Sequence, residues 1–100
     1  MNLEDMQSCA PKALKLLKTM ANEKRLFILC NLLEGEVSVN DLAERVKLSQ
    51  SALSQHLAIL RNENFVSTRK SSQTVYYSIH GDDTKQVMQL LHKLYSLKGA

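Results

Sequence analysis

Proline and aromatic residues are scarce: one proline, two phenylalanines, three tyrosines and no tryptophan stand among 100 residues, of which 44% are hydrophobic. That balance excludes a proline-rich disordered chain and suits a helical domain better than a β-sandwich. The two cysteines, Cys9 and Cys30, are too few for a secreted disulfide framework, and no CxxC pair or Cys/His zinc spacing occurs. Lysine is missing from the first residues, where Glu4 and Asp5 stand instead, so no secretory leader is expected. Nor does any apolar run approach the roughly 20 residues of a membrane span. Glycine-rich phosphate loops, paired carboxylates and nucleophile motifs are all lacking, and His56, His80 and His92 lie far apart. A soluble, cytoplasmic, non-enzymatic chain without a cofactor is the expectation.

What is present is a single-domain length with an uneven charge distribution. A domain of 100 residues, taken as one unit from 1 to 100, buries only a modest fraction of its surface, so a dimer interface would help it. Net charge is +3. Up to residue 40, Lys12, Lys15, Lys18, Lys24 and Arg25 are balanced by Glu4, Asp5, Glu23, Glu34 and Glu36. From Val46 to Ile79, by contrast, Lys47, Arg61, Arg69 and Lys70 face only Glu63. A local cationic surplus of this kind is the footprint expected of phosphate contact.

Periodicity supplies the elements. Leu3, Met6, Ala10, Ala13, Leu14, Leu17 and Met20 recur at helical spacing, with Pro11 requiring either a kink or a helix that starts near Ser8. Asn22 caps a second helix reaching Leu33 and stopped by Gly35, whose apolar set, Leu26, Phe27, Ile28, Leu29, Cys30, Leu32 and Leu33, predicts burial. Ser38 opens a short third helix containing Val39, Leu42, Ala43 and Val46. After Lys47 and Leu48, Ser49 caps a fourth, with Leu53, Leu57 and Leu60 facing inward. Short helix, tight turn and longer helix form a helix-turn-helix. The stretches 65–69 and 74–79, joined by Lys70, Ser71, Ser72 and Gln73, predict a β-hairpin wing. Gly81, Asp82 and Asp83 then open a last helix with the stripe Val87, Met88, Leu90, Leu91, Leu94, Tyr95 and Leu97, too wide for one helix to hide.

The fourth helix carries the candidate function. In LSQSALSQHLAIL, Gln50, Ser51, Ser54, Gln55 and His56 occupy faces left free by the leucines, and from Ser49 to Leu60 there is neither Lys nor Glu. An ordinary solvated face would hold both. Glutamine can pair bidentately with adenine, serine can bond any base, and a phosphate can sit near the helix N-terminus at Ser49. Arg61, Arg69 and Lys70 would contact backbone and set position. For Ser49 the plain role is a cap, and for His56 an exposed helix histidine.

Over MANEKRLFILCNLLEGEVSVNDLAERVKLSQSALSQHLAILRNENFVSTRKSSQTVYYSI and the terminal LLHKLY, the chain resembles the ArsR family of winged helix-turn-helix regulators. The resemblance implies a mainly α fold with a β-hairpin wing, double-stranded DNA as partner, and a homodimer formed by the first and last helices. Leu14, Leu17, Leu90, Leu91 and Leu94 are the interface residues this places. The LSQSALSQHLA run is specific for a branch that activates virulence or toxin genes by relieving silencing by a nucleoid protein.

Departures from the family pattern limit what carries over. Metal-sensing relatives have two cysteines where Val37, Ser38, Val39 and Asn40 stand, and neither Ser38 nor Asn40 is a thiolate ligand. A second metal pattern meets Asp82, Thr84, His92 and Tyr95, too few ligands for four-coordinate zinc. No metal is expected. Thiol-responsive relatives pair a cysteine on the second helix with one late in the last; Cys30 matches the first, but Ser96 replaces the second. Cys9 is the remaining thiol, and the bland role of Cys30 is a small buried hydrophobe. A thiol- or sulfur-responsive repressor and a protein-interaction module with weak DNA binding remain as alternatives.

Overall fold

The computed structural model describes residues 2–95. Among them the order is α1 (Leu3–Met20), α2 (Glu23–Leu32), β1 (Val37–Ser38), α3 (Val39–Val46), α4 (Gln50–Asn62), β2 (Val66–Ser71), β3 (Thr74–Ile79) and α5 (Asp82–Tyr95). Side-chain caps open four helices: Asn2, Asn22, Ser38 and Ser49 accept from the amides of Asp5, Arg25, Asp41 and Ala52 respectively. Each satisfies an amide with no partner inside its own helix.

Ile28, Leu29, Leu42, Leu53, Leu57, Leu60 and Met88 form the fully buried centre, closed by Val37, Phe65 and Val66 from the sheet side. Packing decides how α4 is held. Truncating a leucine such as Leu57 to Ala costs about 2–5 kcal/mol, whereas losing the Ser49 cap costs about 1 kcal/mol. α4 therefore takes its orientation from three buried leucines and its first turn from the cap.

The helix ends are shaped by two non-glycine residues in left-handed conformation. Lys47 (φ 55°) ends α3, and the Leu48 amide returns to the Ala43 carbonyl at 3.3 Å. Asn64 (φ 63°) ends α4, with the Phe65 amide on the Leu60 carbonyl at 2.8 Å and the Asn64 amide on Arg61 at 3.1 Å. The second is a Schellman closure in which the buried Phe65 and Leu60 make the accompanying apolar contact.

Three strands, in the order β1-β3-β2, pair antiparallel. Alternation sorts their side chains. Val66, Ile79, Tyr77 and Val37 share the face that packs on the helical core, whereas Ser67, Ser78, Arg69, Tyr76 and Ser38 share the other.

Several expectations are corrected. α1 does not begin near Ser8: it starts at Leu3 and runs through Pro11. The cap at Asn2 and the absence of tight packing over most of the helix let it accommodate one missing amide. β1 was not expected, because two residues cannot display a period. The wing strands reach Ser71, so the connection is only Ser72 and Gln73, with Ser72 at φ 56°, the positive sign a tight hairpin turn needs in its first position. Phe27 is not buried but 45% exposed, with the Lys24 ammonium 5.4 Å from its ring centre. Leu97, placed on the last apolar stripe, lies outside the described residues.

Candidate nucleic-acid interface

Three residues, Lys47 to Ser49, separate α3 from α4, whose leucines Leu53, Leu57 and Leu60 lie in the core. Ser49 is the cap, its Oγ accepting from the Ala52 amide at 3.2 Å. Gln50, Ser51, Ser54 and Gln55 are all exposed on the first two turns. Among the described residues, no hydrogen bond engages the side chains of Ser51, Ser54 or Gln55; Gln50 Nε2 donates to Asn40 Oδ1 at 3.3 Å. That bond links the start of α4 to the first turn of α3.

At 3.6 residues per turn, Arg61 falls in line with Gln50 and Ser54, exposed in the last turn. His56 does not join that face. It is half-buried on the leucine side, with Nδ1 buried and unpartnered, so its position corrects the expectation of an exposed helix histidine. A helix presenting carboxamides and hydroxyls at its N-terminal end, with a guanidinium further along the same line, can offer directional bonds to base edges and a cation to the backbone.

On the wing, Lys70 and Arg69 are both exposed, but they occupy opposite faces. Arg69 is already engaged. Its Nε donates to Glu36 Oε2 at 3.1 Å, its Nη2 donates to Glu36 Oε1, and its guanidinium carbon lies 4.6 Å from the centre of the Tyr76 ring. The Arg69 hydrogen bond holds the Glu36 carboxyl below its ordinary range, and the same bond raises Arg69. Glu36 was not among the expected site residues; it lies 33 positions from its partner, and no local pattern connects them. Asn40 was missed for the same reason.

The apolar surface is concentrated on the outer helices. Leu14, Leu17, Leu90 and Leu94 are between 51% and 60% exposed, and Leu3, Met6 and Tyr95 join them. Leu91 is different, packing partly buried against the protomer's own core, because its position on α5 faces the same way as Met88 and Val87. A salt bridge from Lys15 Nζ to Glu63 Oε2, 2.8 Å long, ties α1 to the end of α4.

Cys9 and Cys30 are both free. Cys9 is exposed on α1, its thiol directed to the Met6 carbonyl at 3.6 Å. Cys30 is half-buried and lines a cavity of about 180 Å³ together with Asn31, Glu34, Glu36 and Arg45. Ser96 lies outside the described residues. Among the described residues, no group of three His, Cys, Asp or Glu side chains could hold a metal ion, and no helix is long and apolar enough to cross a membrane.

Residues 22–68 match the bacterial regulatory protein, arsR family. The chain is 55% identical over 95 residues to the transcriptional activator HlyU of Vibrio cholerae, covering 95% of this chain and 88% of that protein. Its structure is similar to that of the transcriptional regulator HlyU from Vibrio vulnificus, with a TM-score of 0.89 at 55% identity over 95% of this chain and 99% of the other. A homodimeric winged helix-turn-helix DNA-binding domain from Mycobacterium bovis gives a TM-score of 0.78 at 26% identity, covering 92% of this chain and 86% of its own. With a helix-turn-helix joined to a three-stranded wing and relatives of this kind along nearly its whole length, the chain belongs to the arsR family of bacterial transcription regulators that carry a DNA-binding winged helix-turn-helix.

Proposed function

We propose that this chain is a single-domain, cytoplasmic, non-enzymatic regulator that binds a partly palindromic operator as a homodimer. It activates virulence or toxin genes by displacing a nucleoid silencer. The observation that carries the DNA reading is the exposed α4 face of Gln50, Ser51, Ser54 and Gln55, which has directional hydrogen-bonding groups and none of the Lys and Glu of a solvated helix. The exposed leucines of α1 and α5, and the homodimeric relative, support a twofold assembly. Such a dimer sets two recognition helices about 34 Å apart, one turn of B-DNA. Activation rests on the similarity to the activator HlyU.

Footprinting on DNA from the source organism tests both levels. We expect two protected half-sites about 10 base pairs apart, overlapping sequence that a purified nucleoid silencer also protects. Adding this protein to the preformed silencer complex should replace one footprint by the other. Coexistence of both footprints would remove displacement, and equal protection of all sequences would remove operator reading.

A further inference from the structure

The sheet register and the wing's ion pair concern the same residue. Arg69 lies on an edge strand, β2, and Glu36 immediately precedes the other edge strand, β1, with Tyr76 on the central β3 directly paired to both Arg69 and Ser38. Arg69 therefore reaches across the whole width of the sheet, over the Tyr76 ring, and closes on Glu36 with two parallel N–H···O bonds. This fork-to-carboxylate geometry is the one a guanidinium uses for phosphate. Alternation adds a second constraint: Lys70 is on the face shared with the helices, and Arg69 is on the face turned away from them.

Building on the DNA-binding reading, we infer that Glu36 is a positioning residue that occupies the Arg69 fork as an internal substitute for phosphate. The wing then meets the DNA backbone through Lys70, not Arg69. The acidic partner supplies what a phosphate would, so the strongest donor fork on the wing adds no counterion release when the complex forms. Removing the carboxylate frees a guanidinium two residues from the Ser71–Thr74 pair at the wing tip, where a long side chain released from its own face can turn toward the backbone that Lys70 meets.

Salt titration of the full-length protein on a fixed random-sequence duplex, between 50 and 200 mM, measures this. Each phosphate contact contributes about 0.9 to the slope of log K against log salt, or roughly a 3- to 4-fold change in affinity across that range. We expect Lys70→Gln to lower the slope by about 0.9 and Arg69→Gln to leave it unchanged. Glu36→Gln should raise it by about 0.9, with the gain abolished in the E36Q/R69Q double variant. Both side chains are exposed, and circular dichroism checks that each variant is folded. A slope that falls in R69Q, or does not rise in E36Q, overturns the proposal while leaving DNA binding intact. A wild-type slope near zero overturns the DNA reading and the proposal together.

Discussion

In the first two turns of α4 the exposed side chains are carboxamides and hydroxyls, whereas α1 and α5 expose leucines among their polar residues. The two surfaces create opposite demands. Exposed hydrocarbon costs about 25 cal/mol per Å² wherever it meets water, so Leu14, Leu17, Leu90 and Leu94 favour any cover that fits. Gln50, Ser51, Ser54 and Gln55 cost nothing in water. Their penalty arises only when they are buried without partners, which makes them poor glue and good discriminators. On the function proposed above, one surface would hold an assembly together and the other would choose where it sits.

The largest effect should come from charging the apolar surface. Leu94→Glu places an unpaired carboxylate in a twofold contact, a loss of about 3–5 kcal/mol of association. Sedimentation should then find a monomer with unchanged helical content and no specific DNA binding. Leu91→Glu would be a poorer test, since Leu91 also packs on the protomer's own core and the variant would lose fold and assembly together. A dimer that persists in L94E would mean that α5 is not the interface.

A smaller, more selective change should follow at the polar surface. Gln55→Ala removes one directional pair and should cost about 1–3 kcal/mol on the specific site. Affinity for random duplex should hardly move. Gel shifts on both duplexes separate these quantities, and equal losses would take Gln55 off the list of base readers.

Both surfaces were legible in the sequence because each is written as a helical period: LSQSALSQHLAIL for one, the leucine repeats of α1 and α5 for the other. The caps at Asn22, Ser38 and Ser49 were legible too, since a cap is decided within four residues. What escaped depends on residues far apart in the chain. β1 exists only because Tyr76 and Tyr77 offer it a partner, and the Glu36–Arg69 closure only because β3 brings the two edges of the sheet within one side chain's reach. His56 was misplaced for a third reason: histidine suits either side of an amphipathic boundary, and the boundary falls through it.

The wing is intermediate between the two surfaces, exposed yet internally paired, and pH tests that pairing. Glu36 titrates below its ordinary value of 4.5 because Arg69 donates to it. A depressed carboxylate contributes stability that is present above its unfolded value and lost as pH falls through its lower, folded value. The melting temperatures of wild type and Glu36→Gln should therefore differ by a constant small amount above 4.5 and converge below it. The difference is small because both partners face solvent. A gap that widens on acidification would contradict the assignment.

The smallest effect is expected from oxidation, because neither thiol belongs to the polar face of α4. Cys9 stands on the same stretch of α1 as the exposed Met6, and Cys30 packs from α2 against the hydrophobic core beside a small cavity. A thiol switch requires a second sulfur to resolve the sulfenic acid, and a bridge requires Cα atoms within about 7 Å. The buried residues of α1 are Thr19 and Met20, at its far end. At 1.5 Å per residue, Cys9 lies roughly 15 Å along the axis from that anchored turn. Cys9 is exposed and Cys30 half-buried, and both thiols are free in this structure. Mild peroxide should accordingly leave operator binding nearly unchanged in a gel-shift titration, and mass spectrometry of the cysteine peptides should find no Cys9–Cys30 crosslink. A complete loss of binding, reversed by dithiothreitol and accompanied by that crosslink, would mean that α1 moves between two packed positions and that the apolar surface, not the polar one, is where this regulator is controlled.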